Sequence, residues 1–176
     1  MISYETHVLP NSNYYVYTPS TLAQKLFFYP ICTGSFRYES GYRLARDSYD
    51  SFLLMYILKG TCFVTVHSQT MQAMAGQLVL LDCYTPHAYG TDSGFEALWL
   101  HFDGPMARIF YETIVSEKGS LLYPTHPDAI RRSLYNIYDT FRSRAPIAED
   151  QISGTITNIL TDLLTAETTQ QATKRS

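Results

Sequence analysis

The sequence predicts a mainly β fold with C-terminal helices: an antiparallel β-barrel or sandwich over residues 1–103, then about three helices over residues 104–176, in one structural domain. Two observations carry this expectation. From Tyr14 to Phe102 the chain is rich in Tyr, Phe, Val, Leu and Thr, and Gly, Pro, Asp or Ser interrupt it every ~8–12 residues, as short antiparallel strands joined by turns require. Beyond Asp103 the apolar residues recur at three- and four-residue steps, the helical period.

Taken in order, "SFLLMYILKG" (51–60) is a long apolar run with polar ends, and "TCFVTVHS" (61–68) follows directly, with Gly60 marking a break or bulge. "HSQT" (67–70) reads as a tight reversal into the short strand "MQAMAG" (71–76). "QLVLLDCY" (77–84) and "FEALWLHF" (95–102) are two further strands, with "GTDSG" (90–94) as the loop between them. In the helical part Asp103 is placed to cap a first helix and Pro105 suits its first turn, with Ile109, Phe110, Ile114 and Val115 at helical spacing. A second helix over 127–141 sets Ile130, Leu134, Ile137, Tyr138 and Phe141 on one stripe. A third over 146–164 does the same with Ile152, Ile156, Ile159, Leu160 and Leu163. Pro127 and Pro146 sit where helix starts tolerate proline. The third stripe alternates steps of four and three, as a two-helix seam requires, which makes these five residues the expected homodimer interface. The same stripe would equally serve to pack the helix on its own barrel. Gly154 and the threonines around it lower the intrinsic helicity, so the helix needs a partner of one kind or the other.

Composition narrows the function classes. With 45% hydrophobic and 16% charged residues among 176, the chain forms a core, and its 15 tyrosines offer apolar area together with hydroxyls for polar ligands. A net charge of -3 gives no general attraction to phosphate backbones, so nucleic-acid binding by this chain alone is not expected. Cys32, Cys62 and Cys83 are odd in number and far apart, which argues against a disulfide framework or a zinc knuckle and for small buried hydrophobes. No signal peptide opens the chain and no apolar run approaches the ~20 residues of a membrane span, so the expected setting is the cytoplasm, with no membrane partner.

"LLDCYTPHAY" (80–89) places a thiol, a proline and an imidazole at the end of an apolar run. A cysteine nucleophile needs a helix N-terminus or a nearby cation to lower its pKa, and Cys83, beside Asp82, has neither in view. A metal site in a small barrel would need more than His87 and His101: the strand at 51–59 has no histidine and His67 stands alone at a turn, so no metal and no cofactor are expected. A non-covalent pocket remains. Alternate strand residues face one side, so His87 points with Tyr89, and Ala97 with Trp99 and His101. If that side is the barrel interior, these residues together with Arg46 present an indole, a phenol, two imidazoles and a forked cation to one cavity, a set suited to a small polyhydroxylated ligand. The alternative is that Trp99 is only core and His87 a capped strand-end histidine.

Arg46 ahead of "DSYDSFLLMYILKG" (47–60), then "AGQLVLLDCYTPHAY" (75–89), then "ALWLHFDG" (97–104) and an adjoining helix form an ordered set that resembles the N-terminal regulatory domain of AraC-type transcription regulators, a cupin-type jelly-roll barrel. The late glycine-to-histidine cadence of cupins survives as Gly76 to His87, with Asp82 and Tyr84 in place of the usual proline and second glycine. The resemblance implies a non-catalytic domain that binds a small effector, commonly a sugar, inside the barrel and dimerises through the helices after it. A separate C-terminal pair of helix-turn-helix motifs contacts DNA in such regulators; no such pair follows "TTQQATKRS" (168–176), so the chain is expected to be an excised or truncated sensor. Position by position, Arg46, Tyr89 and Trp99 match places that line the effector pocket in sugar-sensing members, and His87 and His101 fall nearby on the same pattern. Ala97 departs from the polar or histidine side chain that a sugar-binding member can carry. An N-terminal arm that closes over ligand corresponds to residues 4–17. The competing reading is a cupin enzyme, a sugar isomerase or epimerase, built on His87 and His101.

Overall fold

The computed structural model describes residues 1–3 and 5–165. The expectations for 168–176, and for the first residue of the arm, lie outside them. In chain order the elements are β1 (Asn13–Val16), α1 (Thr21–Leu26), β2 (Tyr29–Tyr38), β3 (Arg43–Arg46), β4 (Phe52–Val66), β5 (Gln69–Met74), β6 (Leu78–Asp82), β7 (His87–Gly90), β8 (Phe95–Asp103), α2 (Ala107–Lys118), β9 (Leu121–Leu122), α3 (Pro127–Arg142) and α4 (Glu149–Thr165).

The architecture turns on β4, which is continuous through both of the apolar segments of 51–68. Its register against β8 shifts between Ile57 and Lys59, and Gly60 beside the shift has φ +76°. A Cβ there would come 2.3 Å from the Gly94 carbonyl oxygen, so only glycine fits this bulge. The bend lets one strand serve two sheets. Phe52–Tyr56 pairs with β6 in a sheet ordered β1-β2-β8-β4-β6-β9, whereas Phe63–Val66 pairs with β7 and β5 in a second sheet closed by β3. All neighbouring strands are antiparallel, and the two sheets face each other as a jelly-roll barrel. The "HSQT" reversal is a two-residue hairpin: Val66 faces Gln69, and His67 and Ser68 both take positive φ, as a primed turn demands.

Two cores lie on opposite faces of the first sheet. Leu53, Met55, Ile57, Val79, Leu81, Cys83 and Ala97 point into the barrel. Phe52, Leu54, Tyr56, Leu78, Leu80, Leu98, Leu100 and Phe102 point outward, under α2, α3 and α4. Burial on both faces is why "SFLLMYILKG" and "QLVLLDCY" read as unbroken apolar runs instead of alternating ones.

Several expectations change. Asp103 ends β8 and does not cap α2; its Oδ1 accepts from its neighbour Gly104 N at 2.7 Å, and the cap position is Met106. Ile109 is 55% exposed, and α2 packs instead through Ala107, Tyr111 and Ile114. The third helix begins at Glu149, after Pro146. A fourth helix, α1, lies between β1 and β2; Ser20 caps it by accepting from Ala23 N at 3.1 Å. The proposed seam is the largest correction. Ile152, Ile156, Ile159, Leu160 and Leu163 are all buried within the chain, Ile156 at 0% exposure, in the layer between α4 and the barrel. The same spacing serves either a partner helix or a sheet, and this helix takes its own sheet. Among the described residues no helix is long and apolar enough to cross a membrane.

Candidate functional site

Inside the barrel, beside the core of Leu53, Val79 and Leu81, lies a cavity of about 230 Å³. That is the space of roughly eight waters, enough for one small metabolite. Its walls follow from strand alternation. Trp99 and His101, two apart on β8, supply one side; Leu44 and Arg46 on β3 and Tyr89 on β7 supply the facing side. Arg46, Tyr89, Trp99 and His101 are thus brought together, on the face that alternation assigns them.

His87 is not a wall residue. It pairs across the strands with Arg46 and is 4% exposed, with Nδ1 2.9 Å from the Thr85 carbonyl oxygen. Strand alternation alone cannot distinguish a residue that faces the cavity from one packed at its end.

The indole is held by a glycine. Gly34 on β2 faces Trp99 in register, and a Cβ at Gly34 would come 2.3 Å from Trp99 Cζ2. Phe36 abuts the other side of the ring, edge-on at 5.1 Å. The Nε1–H of Trp99 is buried and has no acceptor among the described residues. His101 stands edge-on to Trp99 at 5.7 Å and to Tyr49 at 4.8 Å, and its Nδ1 lies 2.8 Å from Ser51 Oγ. Burial, with the Arg46 charge second, pushes the imidazole down to about 3, so it is neutral at physiological pH. Arg46 lies over the Tyr49 ring at 4.9 Å. Burial pushes the Tyr49 phenol up to about 12 although Arg46 opposes the shift, so the hydroxyl stays protonated, 3.6 Å from Cys32 Sγ.

The mouth is closed from the N-terminus. Glu5, Tyr14 and Val16 line the cavity, and Glu5 Oε2 accepts from Tyr42 OH at 2.9 Å. Leu9 N donates to the Arg37 carbonyl and Glu39 N to the His7 carbonyl, which strap this segment across the barrel edge. Sequence reasoning missed Gly34, Tyr42, Tyr49 and Glu5. Tyr49 and Glu5 lie outside strands, where no periodicity points to an orientation; Gly34 and Tyr42 are defined only by their neighbours across the fold.

Catalytic options gain nothing from this geometry. All three cysteines are free and buried, and burial, with Asp82 adding to it, pushes the Cys83 thiol up to about 12, far from a thiolate. Among the described residues no group of three or more His, Cys, Asp or Glu side chains is placed to hold a metal ion.

Similar folds occur in solved structures. A protein of unknown function from Streptococcus pyogenes is 20% identical, with 55% of this chain and 75% of that one covered and a TM-score of 0.42. A cupin superfamily protein from Desulfitobacterium hafniense is 17% identical over 57% of this chain and 82% of that one, with a TM-score of 0.41. The cupin domain of an XRE-family transcriptional regulator from Enterobacter cloacae is 14% identical over 51% and 94%, with a TM-score of 0.40. No curated protein matches the chain. The family model of the AraC-like ligand binding domain matches residues 29–153, from the start of β2 into α4, and so takes in the barrel apart from β1 and most of the helical layer. With a match of that extent, the chain belongs to the family of AraC-like ligand binding domains.

Proposed function

We propose that this domain is the non-catalytic sensor of a transcription regulator, and that a small carbohydrate-like effector occupies the barrel cavity. The observation that carries the reading is the convergence of Arg46, Tyr89, Trp99 and His101 on one cavity roofed by the N-terminal arm. An aromatic floor with several neutral and one cationic hydrogen-bonding group suits a compact polyhydroxylated molecule. Sensing is favoured over an isomerase or epimerase because His87, which such an enzyme would use alongside His101, stands outside the cavity wall.

In this reading the protein works in the cytoplasm as a homodimer and reaches DNA through a separate helix-turn-helix domain. Since α4 spends its apolar stripe on the barrel, a dimer would use residues the chain leaves exposed, such as Met106 and Ile109 at the start of α2. The strand β1 offers the route of transmission. Tyr14 and Val16 face the cavity, whereas Tyr15 meets Tyr138 and Tyr17 meets Phe141 on α3, at 5.8 and 5.6 Å between ring centroids. An effector that favours one seating of β1 thereby biases the helices, and only that difference in affinity can switch the protein.

The test is calorimetric titration against a panel of sugars and sugar derivatives. Trp99→Ala and Arg46→Ala are expected to weaken binding at least about tenfold while thermal melts show a folded domain. Unchanged affinity in both variants overturns the assignment of the cavity.

A further inference from the structure

We infer that the effector carries a carboxylate, and that the Arg46 guanidinium is the group that receives it. This rests on the reading of the cavity as the effector site and narrows the chemistry of what enters it.

One donor-only cation lines the cavity without a carboxylate partner among the described residues. Arg37 on β2 and Arg43 on β3, the strand of Arg46, pair with carboxylates, Arg37 with Glu96 at 3.4 Å and Arg43 with Asp92. Arg46 is half-buried, and among the described residues no carboxylate lies within ion-pair distance of it; its contact is the Tyr49 ring. A guanidinium can only donate, so the partner that satisfies it is rich in acceptors. A hydroxyl can accept as well, but it needs a partner for its own proton. A carboxylate needs none, matches the guanidinium fork, and makes hydrogen bonds about twice as strong as neutral ones.

The cavity lining also carries one charge of each sign, Arg46 and Glu5. Both act on Tyr42 and Tyr89, where Glu5 adds to burial in raising the phenol pKa and Arg46 opposes it. Glu5 is held by Tyr42 OH and forms no ion pair with Arg46. His101 is neutral, so Arg46 is the cation among the lining residues. Arg46 therefore receives an anion, and Glu5 accepts from hydroxyls. The ligand class with both features in one small molecule is a hydroxylated carboxylic acid such as a sugar acid.

Trp99 is the sole tryptophan of the chain, so its fluorescence reports on this site directly. The probes are D-galacturonate, D-glucuronate and D-gluconate, each set against D-galactose, D-glucose and D-glucuronamide. The acids are expected to change Trp99 fluorescence with affinities at least about tenfold above the neutral compounds, and Arg46→Gln is expected to abolish that preference. If the neutral sugars bind as well as or better than the acids, the carboxylate inference falls and the cavity reading stands. Acid binding that Arg46→Gln leaves unchanged places the acid elsewhere and also overturns the inference. If none of the probes alters Trp99 fluorescence or the melting temperature, both readings fall.

Discussion

At the scale of single residues, the position of Trp99 depends on a side chain that is absent. Gly34 provides the space in which the indole lies, and any Cβ would enter its six-membered ring. Gly34→Ala is expected to displace Trp99, cost about 1–3 kcal/mol of stability by overpacking, and weaken effector binding beyond what the stability loss explains. Paired denaturation and fluorescence titrations would check it, and native Trp99 emission in the variant would contradict it. His101 makes a prediction about acid. Its folded pKa, about 3, lies below the ordinary 6.5, so between those values the unfolded chain takes up a proton that the folded imidazole refuses. Stability must fall as pH is lowered through that window. Between about pH 7.5 and 4.5 the wild type is expected to lose about 2 kcal/mol more than His101→Gln, in urea melts run at both values. Equal losses would show that His101 does not resist protonation. Of these residues Trp99 and His101 were legible from strand alternation, whereas Gly34 was not, because its role is defined by what lies opposite on another strand.

At the scale of elements, runs and stripes were legible but their partners were not. The strands at 52–66, 78–82 and 95–103 and the helices at 107–118, 127–142 and 149–165 stand close to where the apolar period put them. The elements α1, β1, β2, β3 and β9 were not singled out: all but β2 are a handful of residues with too little periodicity to register, and in β2 Pro30, Thr33, Gly34 and Ser35 blur the apolar alternation. The stripe of α4 shows the limit well. Its spacing is that of a dimer seam, yet Ile156 has no exposure in the single chain. Ile156→Ala is therefore expected to destabilise the fold by about 2–5 kcal/mol, and Ile156→Asp to unfold it, because either a cavity or an unpaired charge is left in the core. Denaturant melts together with sedimentation decide the matter: a well-folded monomer from Ile156→Asp would return this face to the dimer interface.

At the scale of the whole molecule, the arm ties the cavity to the helices. Glu5 and the strap of Leu9 and His7 close the mouth, and β1 carries cavity-facing and helix-facing residues in alternation. Past β1, Glu149 at the start of α4 accepts from Tyr17 OH at 2.9 Å, Ser20 N at 2.7 Å and Ser20 Oγ at 2.5 Å, so the same segment is pinned to the last helix. Removal of residues 1–12 is expected to speed effector dissociation several-fold, seen by stopped-flow Trp99 fluorescence, while the barrel keeps its fold because the buried members of its core all lie at Phe36 or later and the arm adds Val8 at its margin. An unaltered dissociation rate would show that the arm is no lid.

The sequence by itself determined the fold class, the main strands and helices, and which residues of β8 share a face, because periodicity is a local property that each segment carries alone. The family resemblance was likewise legible in the order and spacing of Arg46, Gly76, His87 and Trp99. Only the tertiary structure decided that β4 bends at Gly60 to serve two sheets, that α4 spends its apolar stripe on its own barrel, and that Arg46 reaches the cavity with no acid beside it while His87 does not reach it. Each of these depends on which surfaces meet, and a period along the chain does not encode the identity of the surface opposite.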